Sequence, residues 1–467
     1  MATAGRWHAG AVADLGERLA DIVGTTNVLL GDDIAEELTH DEALTATPQR
    51  PAAVVRPESV DQVAALVRLA AAEGLAVTAR GSGTGLSGAC VPSADGLLVS
   101  FDRMAAIVEI DRDNHVAVVQ PGVTLDQLEE ATAAVGLVYP VFPGESSASL
   151  GGNVATNAGG MRAIKYGVTR HQVLGLEAVT GTGEIIRTGG KFVKSSTGYD
   201  LTQLIIGSEG TLALVTQAIL RLYPRPAHAA TLLAPFPSLE AATAATPVVV
   251  DRGIGPLVLE YIDGLAMGGI VAHAGLDLGV EAGVQAQAQA YLVVVLEQRR
   301  DDRLAEDVEE LGELLAELGA LDVYVLPPGA GSQLIEAREK AFWAAKEAGA
   351  DDIVDVVVPR AVMAAYIARV NELAAASASL VTGCGHVGDG NVHLSVFQPD
   401  PEVRRQLVHA MVETGVAMGG AISGEHGLGT EKRDLFLELA DPATLDLMRR
   451  IKVAFDPAGI LNPEVAR

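Results

Sequence analysis

The stretch Gly81-Ser-Gly-Thr-Gly-Leu-Ser-Gly88 restricts the fold more than any other part of the chain. Gly83, Gly85 and Gly88 have the G-x-G-x-x-G spacing, residues 75–80 before them read as a strand, and Glu109 follows about 20 residues later. In a dinucleotide fold such a loop runs straight into a long helix whose N-terminus faces the pyrophosphate. Here Ala89-Cys-Val-Pro-Ser-Ala-Asp-Gly96 follows, and Pro92 and Gly96 stop any such helix early. The loop is therefore read as a nest of backbone amides that cradles phosphate without a long helix. The plainer alternative is a tight glycine turn with no ligand. Gly81, Gly83, Gly85 and Gly88 are more glycine than a turn requires.

A second segment points the same way. Pro143-Gly-Glu-Ser-Ser-Ala-Ser-Leu-Gly-Gly-Asn-Val-Ala-Thr-Asn-Ala-Gly-Gly160 carries small hydroxyls, many amides and no bulky side chain. Residues 140–165 show little periodicity and are expected to be loop, built for close approach to a large planar ligand. Around these segments the pattern predicts a helix from 60 to 73, with Ser59 as N-cap and Gly74 as terminator. Strands are expected at 97–101, 107–111 and 115–120, a helix at 124–135, and β structure at 173–188. Beyond Tyr223-Pro-Arg-Pro226, which reads as a boundary, strands near 257–262, 291–297 and 321–326 alternate with helices. Residues 303–319 form a clear amphipathic helix, with Leu304, Val308, Leu311, Leu315 and Leu318 on one stripe. Residues 332–349 read as one further helix.

At 467 residues the chain is long enough for two or three domains. Its formal net charge of −27 argues against nucleic acid or an anionic membrane surface as partner, while leaving room for a local basic pocket. Cys90 and Cys384 are too few for a four-thiolate iron–sulfur cluster or a disulfide framework, which favours a reducing cytoplasm. Asp14, Glu17 and Asp21 in the first helical stretch suit neither a secretory nor an import signal, and no run is apolar enough to span a bilayer. The expected location is cytoplasmic, with peripheral membrane contact left open.

Two further glycine-rich turns carry metal chemistry. In Cys384-Gly-His386-Val-Gly-Asp-Gly-Asn-Val-His393, a continuous strand would point the two imidazoles to opposite faces. A reversal at Gly-Asp-Gly folds them onto one site, where both are ordinary nitrogen ligands. Ser423-Gly-Glu425-His426-Gly-Leu-Gly429 adds a carboxylate and a third imidazole. Two histidines and one carboxylate with open positions suit a catalytic divalent metal, zinc first, then iron(II) or manganese. The alternative is that these histidines cap turns in a core. His8, His40, His115, His171, His228, His273 and His409 lack such settings and read as structural or surface residues.

Taken together, the Gly81–Gly88 loop, the Pro143–Gly160 segment with Lys165-Tyr-Gly167, and Gly207-Ser-Glu-Gly-Thr211 resemble the FAD-binding domain of the vanillyl-alcohol-oxidase-type flavoproteins. Within that group the chain is similar to the D-lactate dehydrogenase, glycolate oxidase D-subunit and D-2-hydroxyglutarate dehydrogenase branch, from about residue 40 to Pro463. The resemblance implies an α+β fold: a two-part, non-Rossmann FAD-binding domain at 1–224, a substrate or cap domain with a mainly antiparallel sheet at 225–420, and a segment, 421–467, returning to the FAD domain. It implies FAD contacts at Arg80, Gly81, Ser82, Gly83, Thr84 and Gly85, and at Pro143, Gly144, Ser147, Gly151, Gly152, Asn153, Thr156, Asn157, Gly159 and Gly160. Glu209, Gly210 and Asn462 complete that set. The first loop has no histidine, so non-covalent FAD is implied.

The resemblance also assigns His386, His393 and Glu425 to the metal, His426 to the base, and Arg338 to the substrate carboxylate. Arg338 is otherwise a helix-face partner at i,i+4 spacing. Phe342, Ile353 and Ser395 stand where glutarate-oxidising relatives carry threonine, lysine and asparagine, which points to a smaller or more apolar substrate. The expected activity is FAD-dependent oxidation of a small D-2-hydroxy acid, lactate- or glycolate-like. Competing readings are an oxidase of another alcohol or sugar, a metal-dependent hydrolase, and a non-catalytic subunit. The electron acceptor is open among quinone, cytochrome, electron-transfer flavoprotein and oxygen, and a homodimer is compatible with the sequence.

Overall fold

The computed structural model describes residues 9–466, and the expectation for His8 lies outside the described residues. Val28–Leu30, Ala53–Val55, Leu97–Ser100 and Val77–Arg80 form a four-stranded sheet in that order. The last three run parallel. Helix Val60–Glu73 starts where Ser59 accepts the Gln62 amide and stops at Gly74 in the left-handed region. Its Val63, Leu66, Val67 and Ala70 are buried among residues that include Leu97 and Val99. After Gly88 no helix forms, and the chain enters the strand Leu97–Ser100 through an irregular segment.

A second sheet, wholly antiparallel, is ordered Ile107–Asp111, Val116–Val119, Ala213–Arg221, Val173–Thr180, Ile185–Gly189. These two sheets share the N-terminal half of the chain, where a two-part, non-Rossmann unit is expected.

The segment expected to be loop from 140 to 165 departs from that reading, because it holds two short helices, Leu150–Thr156 and Ala163–Tyr166. Ser149 caps the first by accepting the Gly152 amide, and Leu150 and Val154 enter the second sheet's core. Poor helix propensity is outweighed by that burial. Gly151 is needed for packing, since a Cβ there would lie 2.5 Å from the Pro121 side chain.

Beyond Tyr223–Pro224 a seven-stranded sheet follows, ordered Tyr324–Leu326, His228–Phe236, Ala290–Gln298, Val258–Asp263, Leu380–Gly385, Asn391–Phe397, Asp352–Val357. Every pairing in it is antiparallel. Helix Asp301–Glu317 lays Leu304, Leu311, Leu314 and Leu315 on this sheet's core. The expected single helix from 332 to 349 is instead two, Pro328–Glu339 and Ala341–Glu347, meeting at Lys340.

The C-terminal strand of chain comes back to the first sheet. Val77 donates to the Ile460 carbonyl and the Asn462 amide donates to the Val77 carbonyl, both at 2.8 Å. Asp456, fully buried, fixes this return by accepting from the Ile460 and Leu461 amides and from Lys452 Nζ. Replacing Asp456 with alanine leaves the Lys452 ammonium only the Thr211 and Leu461 carbonyls and strands two amides, a loss of about 3 kcal/mol for a broken buried pair. Thermal unfolding of D456A is expected on the order of 5 °C below the parent; an equal midpoint would show that the ion pair does not hold the C-terminus.

Candidate active site

The histidine turns are built by the sheet. Strands Leu380–Gly385 and Asn391–Phe397 are antiparallel neighbours, with Cys384 opposite His393. Between them the chain reverses: the Asp389 and Asn391 amides both donate to the His386 carbonyl, and Gly390 sits at φ +85°. A Cβ at Gly390 would collide with the Val358 carbonyl. The reversal brings the two imidazole rings to 4.9 Å, edge to face. Glu425 completes the group, its Oε1 lying 3.2 Å from both His386 Nε2 and His393 Nε2. The ligand atoms of these three residues all fall within 4.8 Å of one another. His426 stacks on His393, with centroids 5.1 Å apart.

Two carboxylates absent from the sequence expectations hold this group in place. Asp355, fully buried on strand Asp352–Val357, accepts from Ser423 Oγ and from the amides of Gly424, Glu425 and His426. Asn391 Nδ2 and Lys432 Nζ also donate to it. Burial pushes the Asp355 carboxyl up, but His426, Lys432, His393 and the Asn391 amide reverse this and hold it well below the usual carboxylate range. Glu260, fully buried on strand Val258–Asp263, faces His386 Nδ1 through Oε1 at 2.5 Å. Its Oε2 lies 2.7 Å from Arg338 Nη2. That ion pair lacks hydrogen-bond alignment, so Arg338 Nε and Nη2 keep donors without an aligned acceptor. Arg338 is 7% exposed and is therefore not a solvent-facing helix residue. A signal for both acids did exist in the sequence: each is a carboxylate with apolar or aromatic neighbours on both sides, Leu259 and Tyr261 for Glu260 and Val354 and Val356 for Asp355, a place where an unpaired charge is costly.

The donor set fits a divalent cation. Burial lowers the affinity of His386 for a proton, yet Glu260 and Glu425 raise its pKa to about 10. The same negative field that retains that proton favours a metal ion in its stead. His386 Nδ1 against Glu260 also has the outer carboxylate partner typical of ligating histidines. Burial pushes His426 down to about 4, so its imidazole is neutral at neutral pH. Asp355, His393 and His426 form another close group, but Asp355 is already occupied by its many N–H donors.

The glycine segments converge beside this cluster. A cavity of about 170 Å³ is lined by Gly81 to Ser87, Pro143, Ser149, Gly152, Asn153, Thr156, Glu209, Gly210, Glu425 and His426. The amides of Gly83, Thr84 and Gly85 make no hydrogen bond within the chain among the described residues, and Asn153 Nδ2 is buried without a partner. A Cβ at Gly81 would strike Ser149 Oγ, so the two segments touch only because glycine is there. Unsatisfied donors in a glycine cradle fit the phosphates of FAD. A larger cavity of about 810 Å³ shares Leu86, Pro143, Glu425 and His426 with the first and adds Gly144, Arg338, Phe342, Ile353, His386, His393 and Ser395.

Other expected contacts lie elsewhere. Arg80 turns its guanidinium to the Glu37 and His40 carbonyls. Ser147 bonds to Glu145, Asn157 accepts the Arg170 amide, and Gly151 abuts Pro121. Gly159 backs Glu425, and Gly160 backs the Phe142 carbonyl. Glu209 accepts the Leu428 and Gly429 amides, with its pKa raised by burial to about 7. Asn462 donates to the Ala89 and Glu209 carbonyls. Of these residues Glu209 also lines the smaller cavity, and the others make the contacts just given with the surrounding chain.

Residues 51–189 match the FAD binding domain family, and residues 225–465 match the C-terminal domain of FAD linked oxidases. An uncharacterized FAD-linked oxidoreductase of Mycobacterium tuberculosis is 55% identical over 454 residues, covering 97% of this chain and 99% of that one. The D-lactate dehydrogenase of Archaeoglobus fulgidus is 38% identical over 413 residues, covering 88% and 90%. Among solved structures, p-cresol methylhydroxylase with substrate bound superposes with a TM-score of 0.81 at 17% identity, covering 99% of this chain and 98% of that one.

Asp355→Asn replaces an acceptor of several N–H groups with a side chain that is half donor. Metal content and affinity, read by elemental analysis and titration of the stripped protein, are expected to fall at least about tenfold, as for other outer partners of metal ligands. Parent-like affinity in a folded D355N protein would remove Asp355 from that role.

Proposed function

This chain belongs to the family of FAD-linked oxidoreductases that includes D-lactate dehydrogenases, glycolate oxidase subunits and D-2-hydroxyglutarate dehydrogenases, and from that premise we propose that it oxidises a D-2-hydroxy acid with a lactate-like reacting end to the 2-oxo acid. The observation that carries the proposal is the shared wall: Glu425 and His426 line both the glycine-rich cavity and the larger cavity holding Arg338. A substrate bound by Arg338 and the cluster therefore abuts whatever the glycine segments hold. In this reading residues 1–224 and 421–467 grip the flavin, and 225–420 carry the substrate-binding wall.

FAD, when bound, accepts the electron pair that leaves with the substrate's α-hydrogen. A divalent ion, zinc first, held by His386, His393 and Glu425, would lower the pKa of the substrate hydroxyl. Arg338 offers its unaligned Nε and Nη2 donors to the carboxylate, a charge-assisted pairing. Glu260 fixes the orientation of Arg338 and of His386 at once. Neutral His426 takes the hydroxyl proton as general base. One proton and one hydrogen with its electron pair leave the alcohol, which closes the balance to the 2-oxo acid. The electrons then pass to a separate acceptor of the quinone, cytochrome, electron-transfer flavoprotein or oxygen class, because Cys90 and Cys384 offer no built-in relay. Among the described residues no helix is long and apolar enough to cross a membrane.

Anaerobic mixing of the purified protein with D- and L-2-hydroxy acids tests the reaction. D-acids are expected to bleach the visible flavin band, and bleaching by none of them would end the proposal. His426→Ala should slow that bleaching by at least about 100-fold, the typical contribution of a positioned base. A chelator should abolish substrate bleaching while the flavin stays bound, with recovery on adding zinc or manganese. Full activity in the stripped protein would instead support an oxidase of another alcohol on the same FAD domain.

A further inference from the structure

The cavity beside Arg338 is larger than a three-carbon acid needs. Its volume of about 810 Å³ sits toward the upper part of the roughly 300–1,000 Å³ range of cavities that bury drug-sized ligands. The end at Leu86 and Pro143 adjoins the glycine cleft. Helix Gly264–Ala274 and helix Ala341–Glu347 also line the cavity. It is walled there by Gly268, Gly269 and Ile270 on one side and by Ala341, Ala344 and Ala345 on the other.

The two glycines are not demanded by packing or by backbone. A Cβ at either position would meet nothing within 4 Å, and neither has positive φ. Glycine inside a helix is otherwise unfavourable. Both glycines are exposed, so the missing side chains leave the cavity open beside helix Gly264–Ala274. The bend at Lys340 turns the second helix's alanines to the same space.

The charges along this space exclude a second carboxylate. Arg338 is the one arginine or lysine among the described lining residues, and it belongs to the reacting end. His273 is paired with Glu347 at 3.3 Å, and Glu339 adds another acid. Phe342 and Ile353 complete an apolar wall.

We propose that the substrate's side chain is a medium-length unbranched aliphatic chain, lodged between these two helices while Arg338 holds the carboxylate. This rests on the proposed oxidation of a 2-hydroxy acid and narrows its substrate class. Each methylene moved from water into such a wall contributes about 0.8 kcal/mol, or about fourfold.

The test uses the holoenzyme and kcat/KM for D-lactate, D-2-hydroxybutyrate, D-2-hydroxyhexanoate, D-2-hydroxyoctanoate and D-2-hydroxyglutarate. The value is expected to rise with chain length to at least tenfold above D-lactate, with D-2-hydroxyglutarate at least tenfold below the hexanoate. Turnover of D-lactate equal to or better than that of the longer acids overturns the inference and leaves the proposed oxidation standing. Bleaching by no acid overturns both. Gly268→Leu fills this part of the cavity without straining the helix. It should lower the octanoate-to-lactate ratio of kcat/KM at least tenfold. It should also erase the larger Tm rise that 2-oxooctanoate gives over pyruvate in the parent protein. An unchanged ratio with unchanged Tm shifts overturns the placement between the helices.

Discussion

Asp355 is one carboxylate with the amides of Gly424, Glu425 and His426 and the Ser423 hydroxyl all directed at it. It comes from the seven-stranded sheet, whereas its donors belong to the turn at the start of the C-terminal segment. That convergence tells the turn which way to face, and so puts Glu425 across from His386 and His393. A second carboxylate grips the same turn from the other side, because Glu209 accepts the Leu428 and Gly429 amides. The turn is thus clamped between an acid on the seven-stranded sheet and an acid in the turn that precedes strand Ala213–Arg221. Polar groups buried this deeply are rigid only when every partner is present, and the candidate active site inherits its geometry from that completeness.

The charge balance around the cluster carries the same message. Glu260, Asp355 and Glu425 are held below or well below the usual carboxylate range, with Arg338 and Lys432 as the fixed cations beside them. These five groups leave an excess of negative charge that the proton on His386 offsets. Buried charge needs compensation, and in the proposed function a divalent ion between His386, His393 and Glu425 would replace that proton. Glu260 contributes to two tasks at once, ordering the ring of His386 and the guanidinium of Arg338. In the proposed function, substrate anchoring and metal ligation are therefore coupled through one buried side chain.

Much of this was legible beforehand in local chemistry. Ser59 and Gly74 announce the ends of their helix, and Pro92 with Gly96 rules out a dinucleotide-type helix after the glycine loop. The Gly-Asp-Gly reversal between the histidines follows from residue types alone. Helix Leu150–Thr156 was not legible, because its stability comes from burying Leu150 and Val154 against a sheet formed by distant segments. Glu260 and Asp355 stood out only as acids with apolar or aromatic neighbours on both sides. Their partners lie 126 and up to 77 residues away in the chain, and no local pattern names a partner at that distance.

By itself the sequence determined the chemistry on offer: amide-rich glycine loops for phosphate, and imidazoles and a carboxylate in turns suited to a metal. These are properties of a few consecutive residues, set by side-chain chemistry and allowed backbone angles. Only the tertiary structure decided that the two sets face one another across a shared wall, that Arg338 is buried against Glu260, and that helices Gly264–Ala274 and Ala341–Glu347 line one cavity with them. Those are outcomes of strand order and helix packing, which depend on contacts between segments far apart along the chain.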